Sequence, residues 1–280
     1  PVRLMAGRHP ATVLMVASLD PLDPLDPVAG RTATDWDDVV ARLPQIDPWP
    51  PGGPIVLVAP HPDDELLAAG ATLAAASDAG TEIRVLAATD GELSHPYLSD
   101  AGRRDLVERR LAETAAAYAA AGIEPTRTRL SLPDFGAHGD ADAWGVALAA
   151  GLAPLLDGAA ICLAPWPSDG HPDHDVCGQV AAILAADAGV HLISFPVWSW
   201  NWDDPSGPQI PFPQAARFDF DSDLLGRKRA GIDAYASQIR PEDGRRPVLP
   251  AEFLAHFTRP AEVFLLPPDW LPDGRSGPRT

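Results

Sequence analysis

Residues 55–65 read Ile55-Val56-Leu57-Val58-Ala59-Pro60-His61-Pro62-Asp63-Asp64-Glu65, and this stretch decides the fold. Its first five residues form a continuous apolar run, the pattern of a strand covered on both faces. Prolines, a histidine and acids follow at once. From 64 to 79 the sequence is Ala- and Leu-rich helix, ended by Gly80. A buried strand feeding a helix is the opening unit of a parallel α/β sheet.

Downstream the unit repeats. The spacing predicts strands over 81–88, 128–132, 159–164 and 190–195, with helices over 104–121, 142–156 and 174–186 between them. Gly122 stops the longest helix. This βαβαβαβαβ order argues for a Rossmann-like α/β fold: a mainly parallel sheet with helices on both faces. Beyond 195 the order decays into a decorated C-terminal part. It has a Trp- and Pro-rich loop over 196–213, a short strand at 217–220, a helix over 223–240 and a last, edge strand at 261–266. Upstream, 1–53 reads as an irregular Pro-rich extension in which Leu19-Asp20-Pro21 is echoed at 22–24 and 25–27. A small helix is expected over 34–43, with Thr34 as its N-cap. The expected organisation is this extension followed by one domain over 54–280.

Composition sets the function classes. At 280 residues the chain can bury roughly 75% of its unfolded surface, and 46% hydrophobic with 21% charged residues is ordinary for a globular protein. Lys and Arg total 21 against 39 Asp and Glu, a net charge of −18 that repels phosphate backbones and anionic lipid. Neither nucleic acid nor a membrane is an expected partner; a small molecule is, and a homo-oligomer is allowed. Cys162 and Cys177 are too few for a disulfide scaffold and are expected as buried free thiols. The apolar run 11–17 only faintly imitates a signal peptide, so the expected location is cytoplasmic.

In open α/β sheets ligands bind beyond the carboxyl ends of the strands. Two clusters of histidine and acid stand there: Pro60 to Glu65 after the first strand, and Ser168-Asp169-Gly170-His171-Pro172-Asp173-His174-Asp175 after the fourth. Two histidines and a carboxylate with an open fourth position are the donor set of a catalytic zinc site. A helix N-terminus keeps an Asp ionised, the form that ligates. Capping alone accounts for an isolated Asp, but capping needs no histidine, and two such clusters at equivalent strand ends favour a metal.

Together, Pro60-His61-Pro62-Asp63-Asp64-Glu65 and His171-Pro172-Asp173-His174 resemble the PIG-L/LmbE-like zinc-dependent N-deacetylases. Thr89-Asp90-Gly91-Glu92, Arg110 with Glu113, Leu130 to Asp134, and Lys228 followed by Tyr235-Ala236-Ser237-Gln238 match in order, so the resemblance spans roughly 55–266. It implies one zinc ion per chain on His61, Asp64 and His174, a site that Fe(II) or Co(II) also suits. It implies Asp63 as general base and a protonated His171 as oxyanion helper. Asp173, two positions from His171, suits orienting that ring or simple helix capping equally. Glu92, Arg110 and Asp134 would hold the hydroxyls of an N-acetylglucosamine-type substrate. Of the aromatic residues, Trp166 is the expected pocket wall, while Trp198, Trp200 and Trp202, alternating at strand spacing, suit stacking, a lid or the core equally. Two other readings are weaker. A nucleotide-binding module needs a glycine-rich first turn, and this one carries bulky charged residues. A two-metal phosphoesterase would consume Asp63 and His171 as ligands.

Overall fold

The computed structural model describes residues 30–47, 49–267 and 270; the apolar run 11–17 and the Leu-Asp-Pro echoes lie outside them. Seven strands run β1 (Ile55–Ala59), β2 (Ile83–Thr89), β3 (Thr126–Leu132), β4 (Ile161–Pro165), β5 (His191–Phe195), β6 (Ala215–Asp219) and β7 (Ala261–Leu265). The α-helices are α1 (Asp37–Ala41), α2 (Asp64–Asp78), α3 (Asp100–Ala121), α4 (Gly136–Gly139), α5 (Ala141–Leu152), α6 (Pro172–Ala188), α7 (Ser199–Trp202), α8 (Ser222–Asp233), α9 (Ala236–Ile239) and α10 (Ala251–Leu254).

All five residues of β1 are buried, and they divide by the period of two. Ile55, Leu57 and Ala59 enter a core with Leu66, Leu73, Trp36 and Phe195, while Val56 and Val58 enter another with Leu86, Leu148, Cys162 and Cys177. Both cysteines are free and buried. The 30–49 segment joins the first core through Trp36, Val40, Leu43 and Trp49.

The sheet order is β3-β2-β1-β4-β5-β7-β6, parallel from β3 to β5 and antiparallel at β7 and β6. The chain winds outward from β1 to β3, then returns to β4 on the other side of β1. That reversal opens a crevice at the carboxyl ends of β1 and β4, where both histidine motifs begin. Gly178 lets α6 lie close to the β4 exit: a Cβ there would collide with the Pro165 carbonyl oxygen.

Four local expectations are corrected. Thr32, not Thr34, caps the first helical turn, its N–H donating to the Asp35 carboxylate at 2.7 Å. β7 is internal and β6 is the edge. Glu262 can sit in an internal strand because Lys228 Nζ and the N–H groups of Ala71 and Thr72 bond its carboxylate at 2.7, 2.8 and 2.9 Å. The helix expected over 223–240 breaks at Tyr235, whose buried hydroxyl donates to Glu65 at 3.1 Å. The 196–213 loop contains the helical turn α7, so its tryptophans do not follow strand spacing. In both of the last two, contacts remote in sequence override local preference.

Candidate metal centre and active site

β1 ends at Ala59, and Pro60 is held by Thr89, whose N–H and hydroxyl both donate to the Pro60 carbonyl, at 3.0 and 2.9 Å. The chain then turns sharply into α2. Asp63, at the turn, has φ +133°, a region that a residue with a side chain occupies only when its surroundings impose it. They do: the Asp63 N–H donates to Glu65 Oε2 at 3.2 Å, and Tyr118 and Tyr235 hydroxyls hold Glu65 Oε1 at 2.8 and 3.1 Å.

The turn brings His61 and Asp64 against His174 from the first turn of α6. His61 Nδ1, Asp64 Oδ2 and His174 Nε2 form a triangle with edges of 3.3, 3.2 and 3.2 Å. A tetrahedral ion with bonds of 2.0–2.1 Å requires donor separations of about 3.3–3.4 Å, so the three atoms suit a zinc-sized cation. The far nitrogen of each ring also meets a carboxylate: His174 Nδ1 lies 2.9 Å from Asp169, and His61 Nε2 lies 3.2 Å from Asp134 and 3.4 Å from Asp173. Carboxylates behind imidazoles fix tautomer and ring orientation at metal sites. A second grouping, His61, His171 and Asp173, shares His61 with the first. Filling both would require His61 to lose its remaining N–H, which favours one ion at the first.

Charge follows this geometry. Burial raises the Asp64 carboxyl, but His174 and His61 outweigh it and hold it well below the carboxylate range. Burial lowers His174, yet Asp64 and Asp169 bring it up to about 9; His61 is likewise raised against burial by Asp134, Asp173 and Asp64. A cation must displace those protons to bind. Asp63 is raised to about 8, chiefly by burial, with Arg110 opposing and Asp64 reinforcing. Its carboxylate accepts from Arg110 Nη2 at 2.9 Å.

Most sequence-predicted site residues converge. His61, Asp63, Asp64, Arg110, Asp134 and His171 line one cavity of about 60 Å³. Of the arginines on α3, the structure selects Arg110; Arg109 turns to Glu242 and Glu113. Glu92 stands one layer back, accepting the Asp134 N–H at 3.0 Å while Asp134 accepts the Leu93 N–H at 2.8 Å. Trp166 does not line the cavity; it packs on the core, and Trp198 forms the wall instead.

Two expectations about the second motif change. The Asp173 carboxylate faces His61 and accepts the N–H groups of Phe135 and Ala137, at 2.8 and 3.1 Å, so it caps α4 rather than orienting His171. Its backbone N–H donates to His171 Nδ1 at 3.2 Å. That bond uses Nδ1 as acceptor and leaves Nε2 to carry the ring proton, whereas the expected doubly protonated ring would have to give the bond up. Burial lowers its pKa well below normal, and His61 and His174 push the same way.

Asp169, which opens the second motif after Ser168, is a functional residue that the sequence pattern does not single out. Besides His174, its carboxylate accepts from the N–H groups of Val197, Trp198 and Ser199, at 2.8, 2.9 and 3.0 Å. The available signal was an acid two positions before His171. Gln238 and Ser94, which also line the cavity, approach each other at 3.5 Å.

Residues 56–185 match the PIG-L family, described as GlcNAc-PI de-N-acetylase. The 1D-myo-inositol 2-acetamido-2-deoxy-alpha-D-glucopyranoside deacetylase of Kineococcus radiotolerans is 33% identical over 121 residues, 42% of this chain and 33% of that protein. The chain thus aligns with about a third of the length of that relative. Among solved structures, the A40926 pseudoaglycone deacetylase Dbv21 superposes with a TM-score of 0.52 at 22% identity, over 65% of this chain and 81% of that one. The N,N'-diacetylchitobiose deacetylase of Pyrococcus horikoshii gives 0.52 at 20% identity, over 68% and 72%. These two likenesses establish a shared α/β fold.

Proposed function

We propose, for a chain whose residues 56–185 are of the PIG-L family, that it is a metal-dependent hydrolase removing the N-acetyl group from an N-acetylglucosamine-type amino sugar. The observation that carries this reading is the donor triangle of His61, Asp64 and His174, with Asp63 and His171 on the cavity beside it. The deacetylase relative acts by name on a 2-acetamido-2-deoxyglucoside, which supports the sugar class.

His61, Asp64 and His174 would hold a divalent cation, with zinc as our assignment, and its Lewis acidity would polarise an acyl carbonyl and ease loss of a proton from water. The chain's own residues do the rest. Asp63, whose pKa of about 8 suits proton exchange near neutrality, takes the proton of the attacking water and returns it to the departing amine. Arg110 fixes the carboxylate through its 2.9 Å bond, and the Glu65 clamp fixes the backbone beneath it. His171 donates its Nε2–H to the carbonyl oxygen as negative charge gathers on it; one such donor is worth about 3–4 kcal/mol elsewhere. Asp134 and Glu92 steady the sugar side of the site, Asp134 through its own carboxylate and Glu92 by holding the Asp134 backbone.

A cytoplasmic setting, in which free thiols such as Cys162 and Cys177 persist, agrees with this reading. Among the described residues no helix is long and apolar enough to cross a membrane. The decisive assay is amine release from N-acetylglucosamine conjugates by wild type and Asp63→Ala, with and without a chelator. The variant is expected to retain its metal and lose about 100-fold or more in kcat. Wild-type turnover in a metal-loaded Asp63→Ala would remove Asp63 from this role.

A further inference from the structure

The cavity has two unlike walls. The acids and imidazoles at the β1, β3 and β4 exits form one; Val197, Trp198, Val248, Leu249 and Phe253 form the other. The second wall is closely packed, with the rings of Trp198 and Phe253 4.8 Å apart. It reaches the reacting groups, because Phe135 and Trp198 flank the His171 ring at 4.6 and 6.0 Å. Hydrocarbon therefore borders the position a carbonyl must take to meet His171.

Charge is as one-sided. Asp63, Asp64 and Asp134 line the cavity, and among the described residues Arg110 is the one Lys or Arg that does. Its terminal nitrogens are committed to Gly91 O, Pro62 O and the Asp63 carboxylate. Its Nε–H has no partner among the described residues, and one Nη1–H stands outside these three bonds. A phosphate would meet the Asp63 and Asp134 carboxylates and a guanidinium whose Nη2 edge is already taken by Pro62 and Asp63. It would lack the bidentate guanidinium contact by which phosphates are commonly held.

We propose that the cavity takes an uncharged amino sugar bearing an apolar group and discriminates against phosphorylated ones; this deepens the deacetylase reading and rests on it. The apolar group is a hydrocarbon, either the N-acyl chain itself or an aglycone. Burying each methylene is worth about 0.8 kcal/mol, roughly fourfold in kcat/KM.

The test compares kcat/KM for N-acetylglucosamine, N-hexanoylglucosamine, hexyl N-acetylglucosaminide and N-acetylglucosamine 6-phosphate. A gain of at least tenfold for the hexanoyl amide assigns the wall to the acyl chain; the same gain for the hexyl glycoside assigns it to the aglycone. The phosphate ester is expected to be at least tenfold poorer than the parent sugar. No gain in either arm, or preference for the phosphate, overturns the proposal. Val248→Asp and Leu249→Ser, each checked by thermal melting, should lower the long-to-short ratio at least fivefold. An unchanged ratio in both folded variants also overturns it. If no compound releases amine, the deacetylase reading fails, and calorimetry of hexyl glucoside against glucose decides this proposal separately. Tenfold tighter binding of the alkyl glucoside, lost in Val248→Asp, sustains the apolar site; equal binding ends it.

Discussion

Asp169 has no place in the donor triangle, yet its carboxylate stands behind the buried His174 ring at 2.9 Å. Losing such a partner typically weakens a metal site 10- to 100-fold. We therefore expect Asp169→Asn to loosen the ion by that factor, read by competition with a chromophoric chelator, while the N–H groups of 197–199 retain one oxygen acceptor. Unaltered affinity in a folded variant would show that His174 needs no help. At this scale the sequence was legible where chemistry depends on residue type: two HPD motifs reveal their imidazoles and acids. It was opaque where function depends on which backbone a side chain reaches. Asp169 bonds N–H groups about thirty positions away, and Asp173 caps a helix other than its own. Trp166 lies nearer the motif in sequence than Trp198, but the wall is set by α7, whose turn no local pattern announces.

Among the elements, β1 to β5 could be read because strand burial and helix length both leave a periodic trace. In the C-terminal third the two strands and the start of the helix could be read too, but the helix break and the strand order could not, since these answer to buried polar groups elsewhere: Tyr235 bonds Glu65, and Glu262 bonds the kinked part of α2 near Ala69. His256, just after α10, is another such group. Its Nε2–H donates to the Arg31 carbonyl at 3.0 Å, and it lies over Trp200 at 6.4 Å and 12°. Burial, reinforced by Arg259, lowers its pKa to about 4 from 6.5, so the folded protein refuses a proton that the unfolded chain accepts. The sign follows from that refusal: this stabilisation is complete above about pH 6.5 and drains away as pH falls towards 4, up to about 3 kcal/mol. In urea titrations at pH 7 and 4.5, wild type should lose more stability than His256→Phe by an amount of that order. Parallel losses would show that His256 does not titrate across folding.

Over the whole molecule, the outward-then-back winding brings two segments about 110 positions apart to one ion site, and that much followed from the order of strands and helices. A cation bound there would tie the two halves of the sheet and stabilise the fold by mass action, by about 4 kcal/mol at a thousand times its Kd. Chelation should lower the melting temperature by several degrees. Because His61 and His174 must shed protons to bind the ion, apparent affinity should climb between pH 6 and pH 8, by up to tenfold per unit for each proton released. A melting temperature indifferent to chelator at pH 8 would count against a resident ion. The fourfold hold of Asp169, on His174 and on the backbone of 197–199, has a further bearing on how such a protein could diversify. Any remodelling of the tryptophan turn would pull on His174, a ligand in the proposed centre, so that side of the cleft is conservative by construction. The stretch from Val248 to Phe253 carries no such tether to the ligands, and there a lineage could exchange one substrate for another without disturbing its chemistry.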